Sequence, residues 1–247
     1  ASGKAFGTRA RLMEPSEVKE KFPLIEESLV QGALWDPDAG LVIPRSQTVA
    51  GKLIDQAEAA GKLQSFANTP AQSLIVENGR IKGVVTHRGT IEADYVVICA
   101  GLWGRLIAEM VGEDLPVMPI DHPLTFFGPY NEFAGTGKEI GWPLMRDQGN
   151  SAYMRDTGDP KTAEGGQIEW GYYEETNPRL CHPRDLLEKH EARLSPSQRD
   201  LDMEQVLEPL ERAIELTPIL GELGYNESHS FNGFLQVTTD GGPSMGE

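Results

Sequence analysis

The fold prediction begins with one apolar segment that ends in two small residues, Tyr95-Val96-Val97-Ile98-Cys99-Ala100-Gly101. A continuous apolar run of this length is typical of a strand that is buried on both faces, as in a parallel sheet. Glycine at the end of such a strand lets a bound group approach the backbone closely, but a tight turn into a helix explains it equally well. A helix is predicted to follow and to extend through Met110.

The residues before this run predict a helix and then a meander of short strands. Ser46 is a suitable N-cap for a helix that continues to Ala60, and Gly61 is a suitable C-cap. Strands are predicted over Lys62–Asn68 and Ser73–Val76, and Asn78-Gly79 predicts a type I′ hairpin turn. This order of elements is the one expected in the second half of a doubly wound nucleotide-binding domain: a helix, a meander, a buried strand, a glycine and a second helix.

The pattern changes near Pro116, where we place a domain boundary. Helical stretches lie between Pro183 and Glu222, and segments that read as strands lie around Thr125–Phe127, Ser151–Arg155, Gln167–Tyr173 and Phe231–Thr238. We therefore predict an α/β (α+β) chain in two parts. Residues 1–115 are expected to form part of a doubly wound domain, and residues 116–247 a second domain built on a mainly antiparallel sheet.

The composition argues against several classes of protein. The 247 residues carry a net charge of −16, and phosphate binding needs a basic surface, so a nucleic-acid partner is not expected. No apolar stretch approaches the roughly 18 residues of a membrane span. Cys99 and Cys181 form no CxxC or metal pattern, and Cys99 is expected to be buried and reduced, which favours the cytoplasm. Because Ala1–Gly7 lacks an initiator methionine and an apolar leader, a fragment boundary is expected there.

No complete phosphate-binding glycine loop is present in the sequence. The nearest match is Gly135-Thr136-Gly137, and Gly141 follows one residue later than G-x-G-x-x-G requires. Because this segment lacks the buried strand before it and the helix after it that would bind a pyrophosphate, we interpret it as a surface loop. The histidines show no metal-ligand spacing and no Ser-His-Asp order is visible, so neither a metal site nor a hydrolase is predicted.

Three residues after the predicted boundary are candidates for a site. His122 lies where clefts between domains commonly form, and a histidine can exchange a proton near neutral pH. Strand alternation places Tyr153 and Arg155 on one face, where a hydroxyl and a guanidinium could bind a carboxylate. The same residues also fit a structural interpretation, in which His122 satisfies a hydrogen bond, Tyr153 is a core aromatic and Arg155 is a surface charge.

Several stretches together resemble one family of enzymes. Residues 92–103, which contain the apolar run, resemble the late flavin-domain strand of the D-amino-acid-oxidase superfamily. Residues 115–122 resemble the crossover into the substrate domain of dimethylglycine and sarcosine dehydrogenases. Their RD, Y-R and GGYE motifs are similar to Arg146-Asp147, Tyr153-Met154-Arg155 and Gly171-Tyr172-Tyr173-Glu174. Residues 232–243 are similar to their NG and TPDG-P strand and turn, with Thr239 in place of proline.

The resemblance implies a flavin enzyme that takes a hydride from the carbon next to a secondary or tertiary amine. The usual substrates of the family are N-methylated glycines such as dimethylglycine and sarcosine. Folate is implied only where a C-terminal domain that binds it is fused to the enzyme. The resemblance therefore predicts FAD as the cofactor and a small-molecule amine as the substrate.

The resemblance also implies roles for individual residues. His122 is expected to manage the amine proton, and Tyr153 to line the active-site pocket. Contacts with the substrate are assigned to Arg155 and Tyr172. Contacts with FAD are assigned to four residues, of which the first two match the family's adenosine-binding backbone: Pro70, Ala71, Ala100 and Gly101.

Two classes of function remain open from the sequence. The first is an FAD-dependent amine dehydrogenase or oxidase, of which this chain is an internal fragment that is expected to be inactive alone. The alternative is a non-catalytic binding module with the same sheet and no flavin, which the absent glycine loop favours. Neither nucleic acid nor a membrane is expected as a partner, and the sequence leaves the oligomeric state open.

Overall fold

The structure is a computed structural model that describes residues 5–43, 45–162, 164–174, 178–189 and 197–243. Short 3-10 turns cover Glu27–Leu29 and Gly101–Trp103. The helices are α1 (Pro15–Lys21), α2 (Ser46–Ala59), α3 (Gly104–Glu109), α4 (Pro183–Lys189), α5 (Met203–Leu216) and α6 (Ile219–Glu222). The strands are β1 (Arg11–Met13), β2 (Ala33–Trp35), β3 (Ala71–Glu77), β4 (Arg80–Thr86), β5 (Gly89–Glu92), β6 (Val117–Gly128), β7 (Met145–Asp147), β8 (Ala152–Asp156), β9 (Ile168–Tyr172), β10 (Gln198–Arg199), β11 (Gly224–Tyr225) and β12 (Phe231–Thr238).

The largest sheet has the strand order β10-β12-β6-β9-β8-β7, and β11 also pairs with β6. The pairs of β6 with β9, β9 with β8 and β8 with β7 are antiparallel. A smaller antiparallel sheet has the order β3-β4-β5, and β1 pairs with β2. The prediction of an α/β chain with a mainly antiparallel sheet after Pro116 is confirmed.

The main hydrophobic core lies under one face of β8 and β9. Along β8, Ala152, Met154 and Asp156 are buried while Tyr153 and Arg155 are half-buried, because successive side chains of a strand point to opposite faces. The buried face packs against apolar residues of α1, α5 and α6, among them Val18, Val206 and Leu220. The opposite face of the same strands is therefore left for polar side chains.

The chain divides into two compact units. The first combines residues 1–46, 122–177 and 200–232, and the second combines residues 47–121, 178–199 and 233–247. Strand β6 runs without interruption from Val117 to Gly128 and contributes residues to each unit. The predicted domains, residues 1–115 and 116–247, stay a prediction.

Elements that depend on local sequence signals form as predicted. The β3–β4 hairpin turns at Asn78 and Gly79, whose φ angles of 52° and 73° are those of a type I′ turn. Helix α2 is followed by Gly61 at φ 67°, the left-handed conformation of a C-cap glycine. A 3-10 turn begins at Gly101 and leads into α3, and β12 has the predicted bounds.

The prediction of a buried strand over Tyr95–Cys99 is wrong. Residues 95–100 form no strand, and Tyr95 and Val97 are 87% and 82% exposed. Cys99 is exposed as well, so the expectation that it is buried is also wrong. A strand buried on both faces needs hydrogen-bonded neighbours, and the described residues provide none for this segment.

A related expectation fails for the same reason. Residues 62–68, expected as a strand, form turns and irregular structure. Among the described residues before Pro116 the strand pairs β1–β2, β3–β4 and β4–β5 are antiparallel. An apolar pattern indicates that a segment prefers burial, but the partner strands determine whether burial occurs.

Candidate functional site

The polar face of β6, β8 and β9 brings two of the predicted site residues together. Tyr153 of β8 is paired in register with Gly171 of β9. A side chain at position 171 would collide with the Tyr153 ring, because an added Cβ would lie 2.6 Å from Tyr153 Cζ. The ring therefore lies across the strand at the glycine, and its hydroxyl oxygen reaches to 2.9 Å from Nε2 of His122 on β6.

Tyr173 completes an aromatic cluster around this pair. The centroid of its ring lies 4.7 Å from that of His122 and 5.6 Å from that of Tyr153. The backbone N–H of Tyr173 donates to Ser151 O, which continues the β8–β9 pairing by one residue. The backbone N–H of His122 donates to the Asn232 side chain at 3.1 Å, which fixes the strand at this point.

Burial shifts the pKa values of the two paired groups in opposite directions. It lowers the pKa of His122 from 6.5, because the charged imidazolium loses hydration. It raises the pKa of Tyr153, and the nearby Glu169 carboxylate adds to the shift. Near neutral pH the phenol is therefore protonated and the imidazole uncharged, and in the tautomer that carries its proton on Nδ1 the Tyr153 hydroxyl donates to Nε2. The pair can accept a proton from a ligand.

Arg155 lies on the same face, as predicted, but it already has a carboxylate partner. Its guanidinium forms an ion pair with Glu169, which is opposite it in the β8–β9 register. The two side chains are 12% and 13% exposed. Burial raises the pKa of Glu169, while the charge of Arg155 acts against that shift. The predicted role of Arg155 in substrate binding stays a prediction.

The structure corrects the assignment of Tyr172 to the substrate. Its side chain is only 3% exposed and stacks on Trp170 in the core, with ring centroids 5.6 Å apart. Its hydroxyl donates to the carbonyl oxygen of Gln205 at 2.7 Å. Strand alternation is the cause, since it turns Tyr172 to the core and the next residue, Tyr173, to the polar face. Residues two apart along a strand share a face, so the position of Tyr173 two residues after Gly171 would have identified it as the tyrosine on the polar face.

Sequence reasoning also missed Arg146, which borders a groove on the same face as Tyr153. The groove encloses about 290 Å³, and its lining is Leu41, Leu144, Met145, Arg146, Tyr153, Met154, Arg155 and Glu169. Arg146 is opposite Tyr153 in the β7–β8 register, and its guanidinium carbon lies 4.8 Å from the centroid of the Tyr173 ring. The Arg-Asp dipeptide was a visible signal, but the register was needed to place it.

The residues assigned to FAD all lie in the second unit. Pro70 is exposed, and Ala71, the first residue of β3, is half-buried. Ala100 and Gly101 begin a 3-10 turn, and Gly101 has a φ of 52°. A Cβ at position 101 would meet only the Gln236 side chain, at 4.0 Å, so the backbone is open to a close approach by a cofactor. The contact of Gly101 with FAD stays a prediction, and the open backbone at this position is compatible with it.

The glycine-rich loop does not fit a phosphate, as the sequence indicated. Asp159 accepts a hydrogen bond from the backbone N–H of Gly137 at 2.8 Å. The buried Asp156 accepts from the N–H groups of Gly141 and Trp142 at 2.7 and 2.8 Å. These backbone donors are occupied by carboxylates of the chain itself, so the loop is structural.

Within the described ranges, no group of three or more His, Cys, Asp or Glu side chains is arranged to hold a metal ion. In the same part of the chain, no helix combines the length and the apolar character needed to cross a bilayer.

Comparisons with known proteins agree with the resemblance. A family model described as FAD dependent oxidoreductase matches residues 1–247. Human mitochondrial sarcosine dehydrogenase is 26% identical over 250 residues, which cover 99% of this chain and 24% of that protein. For human mitochondrial dimethylglycine dehydrogenase the identity is 26% over 213 residues, covering 86% and 23%. The crystal structure of L-proline dehydrogenase from P. horikoshii has a TM-score of 0.74 and 25% identity, covering 99% of this chain and 57% of that one. This chain thus spans about a quarter of the length of the two human relatives.

Proposed function

Because the chain belongs to the FAD dependent oxidoreductase family, we propose that it carries the substrate-binding part of an enzyme that oxidises the C–N bond of an N-alkylated amino acid. The proposed substrates are secondary or tertiary amines such as sarcosine and dimethylglycine. The observation that carries the proposal is the pair formed by His122 and Tyr153, whose Nε2 and hydroxyl oxygen lie 2.9 Å apart on a partly buried polar face.

The chemistry requires a group that takes a proton from the amine. An alkylamine is protonated near neutral pH, and an ammonium nitrogen cannot support loss of a hydride from the neighbouring carbon. The uncharged His122 accepts this proton through the Tyr153 hydroxyl: the amine proton passes to the phenol oxygen as the phenol proton passes to Nε2. General acid–base groups of this kind typically contribute about a hundredfold to ten-thousandfold to a rate.

A bound FAD would supply the acceptor for the hydride that leaves the carbon next to the nitrogen. Gly101 is the residue of this chain that fits a close approach of the cofactor, and Pro70, Ala71 and Ala100 are proposed to contact it as well. The part of this chain in the reaction is to hold the amine against His122 and Tyr153 and to move its proton.

The names of the compared proteins support this substrate class. Sarcosine, dimethylglycine and proline each carry an alkylated nitrogen and a carboxylate on the same carbon. A site for them needs a proton acceptor beside a cation. The described face offers the acceptor in His122 and cations in Arg146 and Arg155.

The test is steady-state turnover of the full-length, FAD-loaded protein on a panel of substrates. We expect turnover of sarcosine, dimethylglycine or proline, with kcat/KM at least about tenfold above that for glycine, because a primary amine lacks the alkyl groups that fill a pocket. Equal turnover of glycine, or no turnover of any N-alkylated amino acid, contradicts the proposal.

The compartment and the use of folate are also proposals. We propose the cytoplasm for this protein, while the two human relatives are named as mitochondrial proteins. Fractionation of cells that express the complete reading frame distinguishes the two compartments. Folate is proposed as an acceptor of the oxidised one-carbon unit only where the complete protein includes a domain that binds it.

A further inference from the structure

We infer that Arg146, and not Arg155, binds the carboxylate of the substrate, an inference that rests on the proposed function. The chain offers two arginines along the same groove. They differ in whether the guanidinium already has a carboxylate partner within the chain. That difference separates an arginine that can bind a substrate carboxylate from one that maintains the shape of the groove.

Arg155 is held by Glu169. The ion pair is largely removed from solvent, and a second nitrogen of Arg155 donates to the backbone oxygen of Asp156 at 3.4 Å. A substrate carboxylate that displaced Glu169 would leave a mostly buried acid without its partner, which is strongly unfavourable. Arg155 therefore keeps Glu169 and shapes the groove.

Arg146 has its terminal nitrogens available. Its Nε donates to the Gln148 side chain at 3.2 Å, and no carboxylate of the described residues forms an ion pair with it. The two Nη groups form the fork that binds a carboxylate in a bidentate manner. Stacking on Tyr173 holds the guanidinium plane beside the groove.

The position of Arg146 matches the size of the substrate. The centroid of the Tyr173 ring lies 4.8 Å from the Arg146 guanidinium carbon and 4.7 Å from the centroid of the His122 ring. Arg146 is also directly opposite Tyr153 in the strand register. In an N-alkylated glycine one carbon separates the amine from the carboxylate, so the amine can meet Tyr153 while the carboxylate meets Arg146.

The test is a binding measurement that does not depend on turnover. Methoxyacetate has the shape of sarcosine but carries an ether oxygen in place of the amine, and methoxyacetamide lacks the negative charge. Calorimetry on the full-length, FAD-loaded protein should show that Arg146→Gln weakens methoxyacetate binding by about 10- to 100-fold, as expected when a charge-assisted pair is lost. Binding of methoxyacetamide should change less than about twofold, and Arg146→Lys should be intermediate because it keeps charge without the fork.

The control variant is Arg80→Gln, which removes an exposed arginine next to the Asn78–Gly79 turn and should leave both affinities unchanged. The inference is overturned if Arg146→Gln binds methoxyacetate like the wild type, if both ligands weaken equally, or if the wild type does not prefer the carboxylate. If the protein binds methoxyacetate through Arg146 but does not oxidise N-alkylated amino acids such as sarcosine, the proposed function is contradicted while the carboxylate-binding role of Arg146 is supported.

Discussion

His122 is the residue whose protonation state controls the proposed reaction. Burial holds its pKa below 6.5, so the imidazole is uncharged and able to accept a proton at neutral pH. As the pH falls through this lowered pKa, the imidazole takes up a proton from solvent and can no longer accept one from the amine. Activity is therefore present above the pKa of His122 and lost below it.

The predicted pH profile follows from the lowered pKa of His122. Over about pH 5 to 9, log kcat/KM for sarcosine should decline on the acid side with an apparent pKa below 6.5. The raised pKa of Tyr153 keeps its phenol protonated across this range, so Tyr153 adds no alkaline limb. His122→Gln should lack the acid limb that belongs to this residue. An acid limb with an apparent pKa above 6.5 would contradict the assignment.

Tyr153 is expected to matter less than His122. Tyr153→Phe keeps the ring in the groove but removes the hydroxyl that lies 2.9 Å from Nε2. A water molecule can occupy the vacated position and bridge the amine to His122, so we expect kcat to drop only about tenfold. Turnover normalised to bound flavin measures the effect. A loss larger than that of His122→Ala would show that the phenol is the principal base.

For single residues, the sequence predicted part of the candidate site. His122 and Tyr153 were predicted from their position and the family resemblance, and strand alternation correctly placed Tyr153 and Arg155 on one face. The ion pair of Arg155 with Glu169, the burial of Tyr172 and the place of Arg146 depend on the pairing of β7, β8 and β9. Register is a long-range property that a single sequence does not specify.

Strand β9 positions the pair of His122 and Tyr153 through the glycine at position 171, which leaves room for the Tyr153 ring. Gly171→Ala would place a methyl group 2.6 Å from Cζ of the Tyr153 ring. The same methyl group would lie 3.1 Å from the carbonyl oxygen of Pro123, so it has little room to shift away from the ring. The ring has to move away from His122, and a displacement on the order of 1 Å can cost up to about a hundredfold in rate. We expect kcat to fall about tenfold or more with little change in flavin content.

Gly149→Ala is the matched control for that substitution. It adds a methyl group in the turn between β7 and β8, where the new Cβ would meet only the Asp147 side chain at an ordinary 3.5 Å. Steady-state kinetics with flavin content and melting temperature separate the two variants. If Gly171→Ala keeps full kcat, or loses activity only through unfolding, Gly171 does not position Tyr153.

The contrast between two segments explains what could be predicted for the elements. Asn78-Gly79 determines a hairpin locally, because both residues tolerate positive φ, and the hairpin forms. The run Tyr95–Cys99 has a strong strand pattern, but its strand requires neighbours from elsewhere in a sheet. Without such neighbours among the described residues, the segment stays irregular and exposed.

The whole molecule is expected to depend on residues outside this chain for its cofactor. The 247 residues contain no G-x-G-x-x-G loop, and the Gly135–Gly137 loop uses its backbone donors internally. We predict that residues 1–247 expressed alone purify without stoichiometric FAD. Recovery of one tightly bound FAD per chain would contradict this prediction. A complete reading frame that shows no flavin absorption would favour the alternative of a non-catalytic binding module.

In the proposed mechanism, His122 accepts the amine proton during a flavin-dependent oxidation. This role is tested by the rate at which sarcosine reduces the flavin anaerobically in the full-length protein, compared between wild type and His122→Ala. His87→Ala, which changes an exposed histidine in the β4–β5 turn, is the control. We predict that His122→Ala slows flavin reduction by about a hundredfold or more while FAD content is unchanged, and that His87→Ala has no effect. An unchanged rate of flavin reduction in His122→Ala would remove His122 from the mechanism.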